Sequence, residues 1–302
     1  MGSFEPIYLE TARKGQLMQK VNDARRILSA CTLCPRNCQV DRLSGELGDC
    51  KTGAEAIVSS YNAHLGEEPP LVGYSGSGTI FFTHCSLKCN FCQNEGISHL
   101  GEGDVFGMAQ LATTMLILQN AGCHNINLVT PTHVVPQILS ALSIAIDGGL
   151  SIPLVYNSSG YDCVETLQIL EGVVDIYMPD FKFWDPAVAD VTCHAPDYPE
   201  AARQALKEMH RQVGDLQIGK SGLAERGLIV RHLVMPEGMA GTSEVMRFIA
   251  RELSDDTYVN LMDQYRPCGQ ARQMPGLNRS LSQQEFDKAL SEAKAAGIKR
   301  FA

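Results

Sequence analysis

The sequence predicts an α/β protein: a partial β/α barrel of about six units with a small N-terminal cysteine-rich module ahead of it. Three observations predict it. From about residue 79 onward, short apolar runs alternate with longer amphipathic or polar stretches, the strand-then-helix order of a parallel sheet. A polar or reactive residue follows each run, and in a parallel barrel those positions meet on one rim. Before the first run, four cysteines share a loop-rich stretch punctuated by Pro35, Gly45, Gly48 and Gly53.

The elements follow in order. Residues 11–30 carry Leu17, Val21, Ala24, Ile27 and Leu28 at three- and four-residue intervals with charges between them, which predicts a helix. Candidate buried strands are Thr79–Thr83, Ile126–Val129, Pro153–Val155, Val173–Met178, Leu228–Val234 and Tyr258–Met262. Between them lie candidate helices at 108–120, 134–147, 163–171, 198–213 and 243–253. A last helix at 282–296 opens with Ser282 and Glu285 in capping-box register. The expected division is 1–70 for the first helix and cysteine module and 71–302 for the barrel and its C-terminal helix. Gly73–Gly78 reads either as that boundary or as a close approach to a ligand, and a doubly wound sheet stays open as the alternative fold.

The 302 residues are 44% hydrophobic and 20% charged, so a sizeable core is expected. A net charge of -9 is the opposite of a nucleic-acid footprint, and no such partner is expected. No apolar run reaches the roughly 18 residues of a membrane span. The start MGSFEPIYLE lacks the basic-then-apolar order of a secretory signal, and no lipidation motif fits, so a cytoplasmic location without a membrane partner is expected. Eleven cysteines in that compartment read as metal ligands rather than disulfides.

The segment HCSLKCNFCQN places Cys85, Cys89 and Cys92 as C-x3-C-x2-C directly after the first strand. Three thiolates on one tight loop can hold three irons of a cubane and leave the fourth without a protein ligand, whereas a closed zinc site wants four ligands. With Phe91 just before the last cysteine, the segment resembles the signature of the radical S-adenosylmethionine (SAM) superfamily. More narrowly, the chain resembles the pyruvate formate-lyase activating enzyme-like proteins, in particular their branch with an N-terminal CTLCPRNC-type group. GEEPP at 66–70, GSGTIFF at 76–82, NLVTPTH at 127–133, VYNSSGY at 155–161, IYMPDFK at 176–182, RHLVMP at 231–236 and MDQYRP at 262–267 carry that likeness.

The resemblance implies a partial barrel, a [4Fe–4S] cluster, SAM as cofactor and an oxidoreductase of anaerobic chemistry. In that family the open iron chelates SAM, and reduction of the cluster yields a 5′-deoxyadenosyl radical that abstracts hydrogen. It implies Asn94 beside the methionine moiety of SAM, Lys182 on its carboxylate with Asp180 orienting the lysine, Asn157 and Ser159 in a polar turn near SAM, and Arg231 near SAM or substrate. The Gly-Gly-Glu that receives the SAM amino group in the family is replaced by Thr130-Pro131-Thr132-His133, so Thr130 and backbone carbonyls are expected there instead. His133 reads either as facing substrate or as an ordinary residue at the start of a helix.

Cys31, Cys34, Cys38 and Cys50 suffice for a second metal site, a cluster or a structural zinc. Cys123, Cys163, Cys193 and Cys268 show no ligand spacing and read as small buried side chains, with Cys268 near the rim. Flavodoxin or ferredoxin is the expected electron donor and a glycyl-radical enzyme a candidate substrate. Radical modification of a small molecule or another protein is the second enzymatic reading, and a non-catalytic electron-transfer protein the alternative of another class. Residues 183–227, the one long stretch between strands, hold an embedded helix and are a candidate lid over the rim, a point the sequence leaves open.

Overall fold

The computed structural model describes residues 4–302. Ten strands form one sheet: β1 (Ala56–His64), β2 (Ser77–Phe82), β3 (Asp104–Phe106), β4 (Ile126–Val129), β5 (Leu154–Ser158), β6 (Ile176–Pro179), β7 (Gln217–Ile218), β8 (Ala224–Leu233), β9 (Tyr258–Met262) and β10 (Arg300–Phe301). The order is β10-β9-β8-β6-β5-β4-β2-β1-β3, with β7 paired to β8 off this path. From β2 through β10 along that path every neighbouring pair is parallel, and β1 runs antiparallel to both β2 and β3.

The parallel strands succeed one another without a reversal, so right-handed crossovers place their helices on one face of the sheet. A doubly wound sheet needs a reversal point and is excluded. Alternation along the strands agrees. Tyr156, Tyr177, Leu228 and Val230 pack with the helices, while Val155, Ile176, Met178 and Ile229 point the other way and close on Leu71, Leu216 and Ala224 in a separate small core. The result is a mixed α/β fold with a parallel sheet wound in one direction and left open between β10 and β3.

Three expectations change. The helix expected over 11–30 is two helices, Ile7–Arg13 and Gln16–Ile27, because Gly15 takes φ +70° between them. Strand β1 was not expected, and its pairing with β2 carries the sheet across position 70. The stretch 183–227 is not a free lid. It holds the helix Pro186–Cys193, which docks beside the C-x3-C-x2-C loop, and the helix Tyr198–Val213, which packs against β6 and β8 as their crossover. Among the described residues, no helix is long and apolar enough to cross a membrane.

Candidate active site and cysteine centres

The sheet's C-terminal edge gathers the chemistry. Cys85, Cys89 and Cys92 follow β2, Thr130 follows β4, Asn157 lies at the end of β5 and Ser159 follows it, Asp180 and Lys182 follow β6, and Arg231 lies near the end of β8. Together with Asn94 they all line one cavity of about 170 Å³. Two of the strand ends carry unusual backbone: His84 has φ +63° and Thr130 φ +61°, a conformation that costs a β-branched residue heavily. Thr130 is held there by its N–H donating to the Asn157 carbonyl at 2.9 Å. Such strain persists where the surroundings over-determine it, and it clusters at sites of function.

The cavity's charges form one network. Lys182 Nζ donates to Asp180 Oδ2 at 2.5 Å, Arg231 Nε donates to Asp180 Oδ1 at 2.9 Å, and Arg231 Nη2 donates to Asn157 Oδ1 at 2.7 Å. Glu67, from the GEEPP segment, stands 3.7 Å from Arg231 Nη1. Burial alone would raise the Asp180 carboxyl, but Arg231 and Lys182 outweigh it and hold it below the usual range. Burial opposes the charge of Lys182 as well, and Asp180 overcomes it. For Glu67 burial wins, and its carboxyl is raised.

The backbone beneath these groups is tied by Tyr198. Its hydroxyl donates to the carbonyls of Ser159 (2.9 Å) and Asp180 (3.0 Å) and accepts from the Lys182 N–H at 2.8 Å. Gly160 makes this approach feasible, since a Cβ there would lie 2.3 Å from the Asp180 carbonyl. Asp162 braces the neighbouring turn by accepting from Thr132, Tyr156 and Ser158 at 2.7–2.9 Å.

The cysteine loop is held by residues the sequence did not mark. Asn90 donates its N–H to the Thr192 carbonyl and its side-chain amide to the Val191 carbonyl, both at 2.8 Å, and accepts from the Ala271 N–H at 3.1 Å. Arg36 donates to the carbonyls of Ser86 (2.9 Å) and His194 (2.6 Å) and lies over the Tyr161 ring at 5.4 Å. Phe91 packs edge-on against Phe183 at 5.7 Å. Burial pushes the Cys85 thiol up to about 12, with Cys89 adding to it. Among the described residues no three Cys, His, Asp or Glu side chains converge as the shell of a single ion. The three thiols instead face the cavity from one loop, a donor set whose chemistry fits a polynuclear iron–sulfur group with one metal open to a second ligand.

The N-terminal cysteines lie outside this cavity. Cys31, Cys34 and Cys50 are buried and Cys38 is half-buried. Arg42 is buried beside them at 1% exposure, with Nη1 3.8 Å from Cys31 Sγ and donating to the His133 carbonyl at 2.8 Å. Its Nε and Nη2 both donate to the Gly53 carbonyl, at 3.0 and 2.7 Å, so backbone carbonyls and the Cys31 sulfur surround the buried guanidinium. Cys163, read from sequence as an ordinary buried thiol, is brought against this group. Thr166 Oγ1 donates to the Leu33 carbonyl at 2.9 Å and Arg36 stacks on Tyr161, so both flanks of Cys163 touch both flanks of Cys34. His133 does not line the cavity: it is buried, with Nε2 2.9 Å from the Thr83 carbonyl. Cys268 precedes the turn Gly269–Gln273, which lies over Asn90.

One relative is similar along nearly the whole chain. The uncharacterized protein MJ0674 of Methanocaldococcus jannaschii is 33% identical over 296 residues, covering 95% of this chain and 80% of that protein. The chain belongs to the family of that archaeal protein. No family model matches it. Solved structures are more distant: HydG, a maturase of the [FeFe]-hydrogenase (TM-score 0.49, 15% identity, 72% of this chain and 48% of that one), and SuiB of Streptococcus suis bound to precursor peptide SuiA (0.49, 10%, 73% and 46%). Methylornithine synthase, PylB, matches with TM-score 0.45 and 15% identity, over 73% of this chain and 68% of that one. The chain thus spans about half the length of the first two.

Proposed function

We propose that the chain is a radical SAM enzyme of partial-barrel fold that abstracts hydrogen from its substrate. One observation carries the reading: three thiols in C-x3-C-x2-C spacing share a cavity with Asn94, Thr130, Asn157, Ser159, Asp180, Lys182 and Arg231. Bound there, a [4Fe–4S] cluster supplies reductive cleavage of the SAM sulfonium. Cys85, Cys89 and Cys92 are its ligands. Lys182 and Arg231 offer fixed cations to carboxylate or amide oxygens, Asn157 holds Arg231 in place, and Thr130 offers a carbonyl and hydroxyl where the family's acidic residue is missing. The electron donor in this reading is flavodoxin or ferredoxin.

The deciding experiment is anaerobic reconstitution with iron and sulfide, reduction, and measurement of 5′-deoxyadenosine from SAM. Wild type should form it and Cys89→Ala should not; equal rates from both overturn the reading. For the substrate we propose a glycine of a glycyl-radical enzyme, a role supported by the activating-enzyme-like motifs. An electron paramagnetic resonance doublet on the host's glycyl-radical enzyme is the expected result. SAM cleavage without a doublet on any such enzyme removes that substrate and keeps the chemistry.

The second metal site in this reading is built on Cys31, Cys34, Cys38 and Cys50, with Arg42 as its counter-charge. A protein with Cys85, Cys89 and Cys92 all changed to Ala should still carry metal: about four irons with sulfide for a cubane, about one zinc for a structural site. Absence of both rejects it.

A further inference from the structure

We propose that Cys89 and Cys193 are a thiol pair that oxidises to a reversible disulfide in the cluster-free protein and so closes the site to metal loading. The part about loading rests on the proposed role of Cys89 as a cluster ligand; the pair itself does not. Cys193 lies 104 residues from Cys89, at the end of the helix Pro186–Cys193, yet its Sγ is 3.4 Å from Cys89 Sγ. With metal–sulfur bonds of about 2.3 Å, two thiolates on one tetrahedral zinc stand about 3.8 Å apart. The pair is therefore closer than two ligands of one ion would be. From 3.4 Å, a disulfide needs the sulfurs to approach to about 2.05 Å.

The contact is fixed by the segments on both sides. Next to Cys89, Asn90 donates to the carbonyls of Thr192 and Val191 at 2.8 Å. Next to Cys193, the His194 carbonyl accepts from Arg36 at 2.6 Å, and the same guanidinium holds Ser86 in the cysteine loop at 2.9 Å. Cys89 lines the cavity, which gives an oxidant its route, while Cys193 is fully buried behind it. A low-molecular-weight disulfide is the oxidant. Its thiol exchange with Cys89 and then Cys193 breaks two S–H bonds and the reagent's S–S bond, forms one protein S–S bond, and passes two electrons and two protons to the reagent as two free thiols. The bond removes Cys89 from the donor set and leaves only two thiols on the loop.

The test uses the full chain freed of metal by a chelator and treated with oxidised glutathione, then digested and mapped by mass spectrometry without reductant. The expected product is a peptide pair joined through Cys89 and Cys193, released by dithiothreitol. Cys89 joined instead to Cys85 or Cys92, or left free while other cysteines react, overturns the pair. Iron uptake during reconstitution is the second readout. The oxidised wild type should take up less than a tenth of the iron at the motif site and recover on reduction, and reduced Cys193→Ser should load iron fully. Loss of iron from reduced Cys193→Ser would make Cys193 a ligand and overturn the proposal. The joined peptide is read without SAM, so its failure and a failure to form 5′-deoxyadenosine are separate results.

Discussion

Arg231 and Lys182 are cations in a half-closed cavity, and both lean on the single carboxylate of Asp180. Their roles separate by substitution. Lys182→Ala leaves the Asp180–Arg231 bond in place and removes one charged donor, so SAM affinity in a calorimetric titration should fall by about 1.5–3 kcal/mol with iron content unchanged. Unchanged affinity removes Lys182 from the site. Asp180→Asn instead leaves two cations without their shared anion, and thermal unfolding should report a loss of about 3–5 kcal/mol. A loss under 1 kcal/mol would mean that Glu67 and solvent already compensate. Ten of the residues lining this cavity were legible, because each stands at or just after a strand end or within the cysteine motif and matches a position of the resembled family. Asn90, Arg36, Glu67 and Cys193 were not, because contacts with residues far along the chain define what they do, and no local spacing announces those contacts.

At the scale of elements, Arg36 joins three of them: the N-terminal cysteine stretch, the loop after β2 and the end of the helix Pro186–Cys193. Its planar donors reach several carbonyls at once, a geometry that a lysine ammonium cannot copy. Arg36→Ala should therefore raise hydrogen exchange at residues 86–92 and 191–194 about tenfold or more, equivalent to about 1.4 kcal/mol of local opening, and Arg36→Lys should not restore it. Exchange confined to residues 31–50 would show that the clamp carries no coupling. Strands β4 and β9 and the helices Met108–Asn120 and Tyr198–Val213 match the sequence reading residue for residue; in β4 and the two helices apolar pattern and burial coincide, whereas β9 buries only Val259 and is placed by its parallel pairing with β8. Strand β1 escaped it. Its segment AIVSSYNAH is buried mainly at Ala56 and Val58, with Tyr61 exposed, and its pairing with β2 gives it order that its own pattern does not announce. The capping box at Ser282 and Glu285 was readable from four residues, and both of its bonds are made.

For the whole molecule, two of the buried groups pull the response to pH in opposite directions. Burial lowers His232 to about 4, because its ring is enclosed between the Phe181 carbonyl and Thr242, with Asp180 and Lys182 nearby acting in opposite directions. The native state thus resists a proton that the unfolded chain accepts below about 6.5. The stability from neutral His232 is present above that value and is lost as pH falls towards 4, at about 1.4 kcal/mol per pH unit. Asp175 is the reverse. Burial raises it to about 7 despite the N–H groups of Ile7 and Leu154 that it accepts, so the native state holds a proton the unfolded chain releases above about 3.9. Its contribution is present below that pH and is lost as pH rises through 7. Differences against wild type isolate each group from all others. The destabilisation caused by His232→Gln should shrink as pH is lowered from 6.5 to 4.5, whereas Asp175→Asn should gain on wild type as pH rises from 4.5 to 7. Calorimetric unfolding across that range checks both, and parallel curves for either variant would mean that its residue keeps the same protonation state folded and unfolded.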